Sequence, residues 1–155
     1  GRRLVSGKAN QFPLSNEAKR ARAPGDERKE PRLLLHPALD DPARHLAFDA
    51  EEGMIRPFAS ASGRKSRRGA VSIDVYALLR DGLVRARKAR QKLIRKEIAV
   101  ARGLAQTLDE IGPNARLEQM LVESLSMLRD YMADDAPYAG MARHMIRPVL
   151  EELTG

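Results

Sequence analysis

Proline punctuates the first half of this 155-residue chain. Six of its nine prolines fall within residues 1–70, spaced roughly ten residues apart. Because proline fixes φ and lacks an N–H donor, this spacing excludes a long helix or a central strand there. The apolar residues of the region come in short clumps without a period of 2 or 3.6. We therefore predict that residues 1–70 form an extended or disordered basic tail that cannot fold alone.

One short helix is predicted inside this tail, over residues 42–52. Asp41 can cap it, Pro42 suits the first helical position, and Gly53 can end it. The clumped apolar side chains are suited to anchor the tail along an extended path across a partner. These predicted partner anchors are Phe12, Leu33, Leu34, Leu35 and Phe58. The alternative is a flexible linker with incidental apolar residues.

Helical periodicity becomes regular in the second half of the chain. Apolar side chains recur there at spacings of three and four residues, which predicts one long helix over residues 73–110. Ser72 can cap this helix at its start. The dipeptide Gly112-Pro113 is a strong stop signal at its end.

Two further helices are predicted, over residues 115–134 and 137–153. Asn114 and Asp135 can cap them, and the short connections favour antiparallel neighbours. Residues 71–155 are therefore predicted to form one helical unit. The predicted fold class is all-α: a small three-helix bundle with one long basic helix, preceded by the extended or disordered tail of about 70 residues.

The net charge of +7 is the sum of unlike contributions from different parts of the chain. Residues 1–70 carry 15 basic and 9 acidic side chains, and residues 71–108 carry 9 and 3. Residues 109–155 carry 4 basic and 9 acidic side chains. Such asymmetry of sign indicates a charged partner, with the basic parts facing an anion and the acidic helices facing away from it.

The long predicted helix carries a basic stripe. Seven of the twelve residues from Arg85 to Lys96 are basic and none is acidic. Like charges one helical turn apart repel, so we expect an anion to compensate them. Phosphate is the simplest candidate, and an acidic protein face or plain solvent are the alternatives.

A second basic cluster, interleaved with Gly and Ser, precedes the helix at residues 62–69. A flexible cationic segment of this kind conforms to a phosphate backbone and releases counterions. A solvated hinge or a localisation signal is the alternative. The predicted RNA phosphate-binding residues of the two clusters are Arg64, Lys65, Arg67, Arg68, Arg85, Lys88, Lys92, Arg95 and Lys96. Their predicted role is charge neutralisation, not base reading.

Sequence patterns for catalysis or metal binding are missing. The chain has no Cys, which excludes a disulfide scaffold, a thiolate zinc site and a cysteine nucleophile. His36, His45 and His144 lie far apart and lack metal-ligand spacing. No apolar run is long enough to span a membrane. We therefore predict that the chain is not an enzyme and takes no cofactor and no metal.

Together these patterns predict a non-catalytic structural subunit of a large ribonucleoprotein, with the character of a ribosomal protein. Its partners would be RNA, contacted through the backbone, and neighbouring protein subunits, without a small-molecule substrate. The alternative is a protein-only helical adapter or assembly subunit of a multiprotein complex, whose tail wraps a partner. Because the first 22 residues are Arg-rich with Glu17 as their one acid, a mitochondrial matrix or a bacterial cytoplasm is the expected location.

Overall fold

A computed structural model describes residues 11–155 of the chain. The first ten residues of the predicted tail lie outside the described residues. The described chain divides into two compact units. The first contains residues 11–49 and 54–84, and the second contains residues 50–53 and 85–155.

The first unit combines a small sheet with one helix. Its elements in chain order are 3₁₀ turns at Glu17–Lys19, Asp26–Lys29 and Pro42–Arg44, strands β1 (Leu46–Phe48) and β2 (Ile55–Pro57), and helix α1 (Arg67–Val75). The strands pair antiparallel, with Leu46 opposite Pro57 and Phe48 opposite Ile55. The predicted all-α fold class is therefore wrong.

The helix expected over residues 42–52 is not formed: a single helical turn is followed by strand β1. Asp41 does cap a helical turn, because its side chain accepts a hydrogen bond from the Ala43 N–H. That turn ends at Arg44. Beyond it the chain is extended, because the Phe58 N–H donates to the His45 carbonyl and the two strands then pair.

The prediction of an extended or disordered tail is also wrong, because α1 binds the backbone of Leu34 and Leu35 in the middle of that region. Arg68, Ser72 and Tyr76 lie at spacings of four residues and so share one side of the helix. The Leu35 N–H donates to Ser72 Oγ (2.9 Å), and the Tyr76 hydroxyl donates to the Leu35 carbonyl (3.1 Å). Arg68 donates to the Leu34 carbonyl (3.1 Å). Side chains thus satisfy a buried extended backbone that lacks a sheet partner there.

Two earlier segments of the same region pair with each other. Leu14 and Arg32 form an antiparallel bridge. The Ser15 N–H donates to the Pro31 carbonyl (2.9 Å), and the Leu33 N–H donates to the Pro13 carbonyl (3.1 Å). The prolines therefore act as hydrogen-bond acceptors at the ends of a short ladder, a role that needs no N–H.

A hydrophobic core closes the first unit. Leu35, Leu46, Ile55 and Ile73 are buried together, with Phe48 and Leu78 packed against them. The cluster joins the extended segment, both strands and α1. Its members come from short apolar clumps far apart in sequence, so no local periodicity reveals them.

The helix predicted over residues 73–110 is interrupted. Ser66, not Ser72, caps α1, since its Oγ accepts a hydrogen bond from the Gly69 N–H. Helix α1 ends in a Schellman motif, with Ala77 in the left-handed region at φ +50°. The Ala77 N–H donates to the Asp74 carbonyl, and the Leu78 N–H donates to the Ile73 carbonyl. A new helix then starts at Asp81.

Three helices make up most of the second unit: α2 (Asp81–Ile111), whose first four residues belong to the first unit, α3 (Ala115–Tyr131) and α4 (Ala139–Thr154). The sequence predicts the later two over 115–134 and 137–153. Asn114 caps α3 by accepting from the N–H groups of Arg116 and Leu117. The buried apolar side chains of the three helices are Ile94, Ile98, Ala101, Leu125, Leu128, Met141, Ala142, Ile146 and Val149.

Gly69 lets α1 approach the backbone of His45. A Cβ at this position would lie 2.0 Å from the His45 carbonyl oxygen. We expect Gly69→Ala to lower the free energy of unfolding by about 1–3 kcal/mol, because backbone must move to admit the methyl group. Urea denaturation of the variant measures this loss.

Gly103→Ala is the matched control, because a Cβ there meets nothing within 4 Å. Gly103 lies in the exposed interior of α2, so alanine should raise stability by about 0.5–1 kcal/mol. Equal stability of the Gly69→Ala variant and the unmodified chain would contradict the close approach.

Candidate functional site

The loop between β2 and α1 folds into a tight turn with a basic rim. Ala59 and Lys65 form an antiparallel bridge, and the Ser60 N–H donates to the Arg64 carbonyl (3.0 Å). Gly63 closes the turn with φ +78°, a conformation that favours glycine. Arg64 and Lys65 therefore belong to a defined turn, and Arg67 and Arg68 follow in the first turn of α1.

An open depression of about 590 Å³ lies beside this turn. Its lining residues are Arg44, His45, Phe58, Ser60, Ser62, Arg64, Lys65, Ser66 and Arg67. We call it the basic pocket. Four of these side chains are cationic and none is a carboxylate. The structure thus brings together three predicted phosphate-binding residues, Arg64, Lys65 and Arg67, and adds Arg44.

Arg68, the fourth predicted phosphate ligand of this segment, instead pairs with Asp40. Its Nη1 and Nη2 donate to the two oxygens of Asp40, at 2.8 and 2.6 Å. These hydrogen bonds hold the pKa of Asp40 well below its usual range. Arg32 lies 3.5 Å from the same carboxylate. Arg68 therefore stabilises the first unit.

His45 connects the basic pocket to the cap of α1. Its Nδ1 lies 2.9 Å from Ser66 Oγ, the atom that caps the helix. Burial lowers the pKa of His45, and the charge of Arg68 lowers it further. The imidazole is therefore neutral near pH 7 and adds no charge to the pocket.

The charge of the predicted basic stripe on α2 is compensated in part within the second unit itself. Lys88 pairs with Glu52 (2.7 Å) and Arg95 with Glu51 (3.5 Å). Arg85, Lys92 and Lys96 stay exposed on the same helix. An acidic loop more than 30 residues upstream thus supplies part of the negative charge that compensates the stripe.

Arg87 and Gln91 are the structural residues that the sequence analysis missed. Both are buried, and both bind Gly53: Arg87 Nε donates to the Gly53 carbonyl (2.6 Å), and the Gly53 N–H donates to Gln91 Oε1 (2.9 Å). Their positions on the helical wheel could have identified them from the sequence. They lie on the same side of α2 as the buried Ile94 and Ile98, where a polar side chain requires a buried partner.

The predicted partner anchors divide into two groups. Leu33, Leu34 and Leu35 are buried inside the first unit and present no surface to a partner. Phe12 and Phe58 are exposed to 37% and 41%. Phe58 lines the basic pocket.

A second exposed surface lies on α2 and α3. Arg90 stacks on the Tyr131 ring at 4.2 Å from its centroid, and the Ser124 hydroxyl donates to the Glu97 carboxylate. These contacts show that the two helices are antiparallel and fix their register. Helical spacing places four apolar side chains beside this contact line. They are exposed to between 43% and 51%. We call them the apolar strip: Leu93, Val100, Met120 and Met127.

Two kinds of site are missing from the described part of the chain. Within residues 11–155, no three His, Asp or Glu side chains lie close enough to hold a metal ion. No helix in the same range is long and apolar enough to cross a membrane. The basic pocket and the apolar strip are the candidate functional surfaces of the described residues.

Comparison with known proteins gives two relatives. The chain is similar to Septu protein PtuB of Bacillus mycoides strain KBAB4. The two are 42% identical over 158 residues, which cover 95% of this chain and 52% of PtuB. Septu protein PtuA of the same strain is 38% identical over 81 residues, 52% of this chain and 10% of PtuA. No family model and no solved structure matches.

The chain thus spans about half the length of PtuB. The predicted ribosomal, mitochondrial and RNA-binding character is wrong, because the relatives are Septu proteins of a bacterium. The alternative prediction, a protein-only adapter or assembly subunit, agrees better with these relatives. The wrapping tail of that alternative is not supported, since residues 11–49 and 54–70 pack within the first unit.

The contact of Arg87 with Gly53 gives a stability prediction. Arg87→Met keeps the aliphatic stem but leaves the buried Gly53 carbonyl without its donor. We expect the free energy of unfolding to fall by about 1–3 kcal/mol in urea denaturation. Arg85→Met removes an exposed charge two residues away and should change it by less than about 0.5 kcal/mol. Equal losses in both variants would contradict the assigned role.

The lowered pKa of His45 gives a pH dependence. The folded chain binds this proton more weakly than the unfolded chain, so stability falls as the pH drops below the ordinary value of 6.5. We expect His45→Gln to remove part of this slope between about pH 7.5 and pH 5. Asp40 acts at lower pH, because its carboxyl ionises well below its ordinary value of 3.8. An identical slope in the variant would refute the prediction.

Proposed function

We propose that this chain is a protein-binding segment of a Septu-type protein and works in a multiprotein bacterial defence against phage. The observation that carries the proposal is the exposed apolar strip on α2 and α3. The partner is another protein subunit, which places an amphipathic helix along the strip. The chain itself is proposed to be non-catalytic.

The apolar strip has the residue spacing that helix docking requires. Leu93 and Val100 are seven residues apart on α2, and Met120 and Met127 are seven residues apart on α3. A spacing of seven keeps each pair on one side of its helix. Since the helices are antiparallel, the two pairs form the walls of a shallow groove. Methionine adapts its shape to a partner and is frequent on such surfaces.

Charges on the two edges of the groove specify the orientation of the partner helix. Lys92 and Lys96 lie on the outer side of α2, and Glu123 and Asp130 lie on the outer side of α3, all exposed. The helix that fits has an apolar stripe with acidic residues on the edge toward α2 and basic residues toward α3. The wrong orientation would place like charges together, so the edges give specificity more than affinity.

The similarity to Septu proteins with two different names favours a different protein over a second copy as the occupant. This inference concerns the 155-residue chain. The remainder of a PtuB-length protein can add contacts of its own.

Binding to purified Septu protein PtuA of Bacillus mycoides tests the proposal by isothermal titration calorimetry. We expect Leu93→Ser combined with Met127→Ser to weaken the Kd at least about tenfold, because two central apolar contacts are lost. Val122→Ser is the matched control. It lies on α3, is 64% exposed and points away from the strip, so its Kd should equal that of the unmodified chain.

Three outcomes would refute the proposal. The first is the absence of binding by the unmodified chain at about 100 µM, a weak limit for specific protein association. The second is an equal effect of the strip and control variants. The third is self-association of the chain, seen by light scattering and removed by the strip variant.

A further inference from the structure

We propose that the basic pocket binds a phosphorylated small molecule of nucleotide size. Arg44, Arg64, Lys65 and Arg67 would hold its phosphate groups, and Phe58 would contact its ring. This inference concerns the first unit and does not depend on the proposed function of the apolar strip.

Unbalanced charge is the first argument. Within the described residues, none of the four pocket cations forms an ion pair with a carboxylate of the chain. Other cations of the same unit do: Arg20 pairs with Glu17, Lys29 with Asp26, and Arg68 with Asp40. Crowding four uncompensated charges around one pocket costs free energy that a bound anion offsets.

The chemistry of the lining is the second argument. Three arginines present planar forks of donors that match the oxygens of a phosphate, and Lys65 adds a point charge. Ser60 and Ser62 add hydroxyl groups, which lie 2.9 Å apart on the same turn. A multiply charged phosphate chain uses more of these donors than a single carboxylate does.

Size and shape are the third argument. A volume of about 590 Å³ falls in the range of small-molecule sites. Phe58 is 41% exposed at the pocket, so its ring is open to stacking on an aromatic ligand. A polymer backbone would need a groove that continues past the pocket. The lining residues all come from two short segments, residues 44–45 and 58–67, which define a local site.

Calorimetric titration of the chain with ADP, inorganic pyrophosphate and adenosine at low salt tests the inference. We expect ADP to bind most tightly, pyrophosphate more weakly, and adenosine not to bind measurably. Arg64→Gln combined with Lys65→Gln should weaken ADP and pyrophosphate binding at least tenfold. Phe58→Leu should lower the affinity for ADP to that for pyrophosphate and leave pyrophosphate binding unchanged.

Arg85→Gln combined with Lys92→Gln is the matched control, because it removes the same charge from exposed positions on α2. Its affinity for ADP should equal that of the unmodified chain. Each variant is first compared with the unmodified chain by thermal unfolding, and Lys65→Gln alone replaces the double variant if the latter is destabilised. A threefold or larger loss of ADP affinity is then expected.

The inference is overturned if the unmodified chain binds neither ADP nor pyrophosphate, or if the control variant weakens both as much as the pocket variant does. It is also overturned if a single-stranded oligonucleotide binds far more tightly than ADP and depends equally on Arg85 and Lys92. That result would describe a diffuse surface for a polymer. Loss of PtuA binding in the strip variant with unchanged ADP binding would separate this inference from the proposed function.

Discussion

The order of the first unit depends on one side of a short helix. Arg68, Ser72 and Tyr76 satisfy the backbone of Leu34 and Leu35, where no strand is available to do so. An unpaired buried peptide group is costly, so these hydrogen bonds are a condition for burying the leucines at all. Once the leucines are buried, the core with Leu46, Ile55 and Ile73 can close around them.

This dependence explains which parts of the fold the sequence could predict. The periodicity of α2, α3 and α4 is local, so apolar spacing and the Asn114 cap indicate these helices directly. The first unit is assembled from contacts between distant segments. Ser72 is predicted to be a helix cap, because nothing within a short window shows that its hydroxyl binds the Leu35 backbone. The break at Ala77 was hidden for another reason: the left-handed position usually holds glycine.

The candidate surfaces, like the fold, were predictable from the sequence only in part. Clustered charge predicted that Arg64, Lys65 and Arg67 act together, and the structure places them around one pocket with Arg44. The same clustering could not show that Arg68 turns toward Asp40, or that Lys88 and Arg95 meet Glu52 and Glu51. The sequence shows an excess of basic residues, whereas only the fold shows which of them have no acidic partner and remain available to a ligand. The apolar strip was overlooked because its methionines resemble core residues when only spacing is considered.

The hydrogen bonds of Arg87 and Gln91 to Gly53 affect how the second unit folds and which fragments of it are complete. This unit is discontinuous: a four-residue loop is contributed by chain that precedes its helices by more than 30 residues. A fragment beginning at the start of the helices would lack the Gly53 backbone groups that Arg87 and Gln91 bind in the complete unit. The helices are thus completed only after a long loop has closed, which makes their folding slower than that of a bundle with local contacts alone. A proteolytic cut anywhere between Gly53 and Arg85 would divide the second unit into two chains, although none of its own residues would be lost.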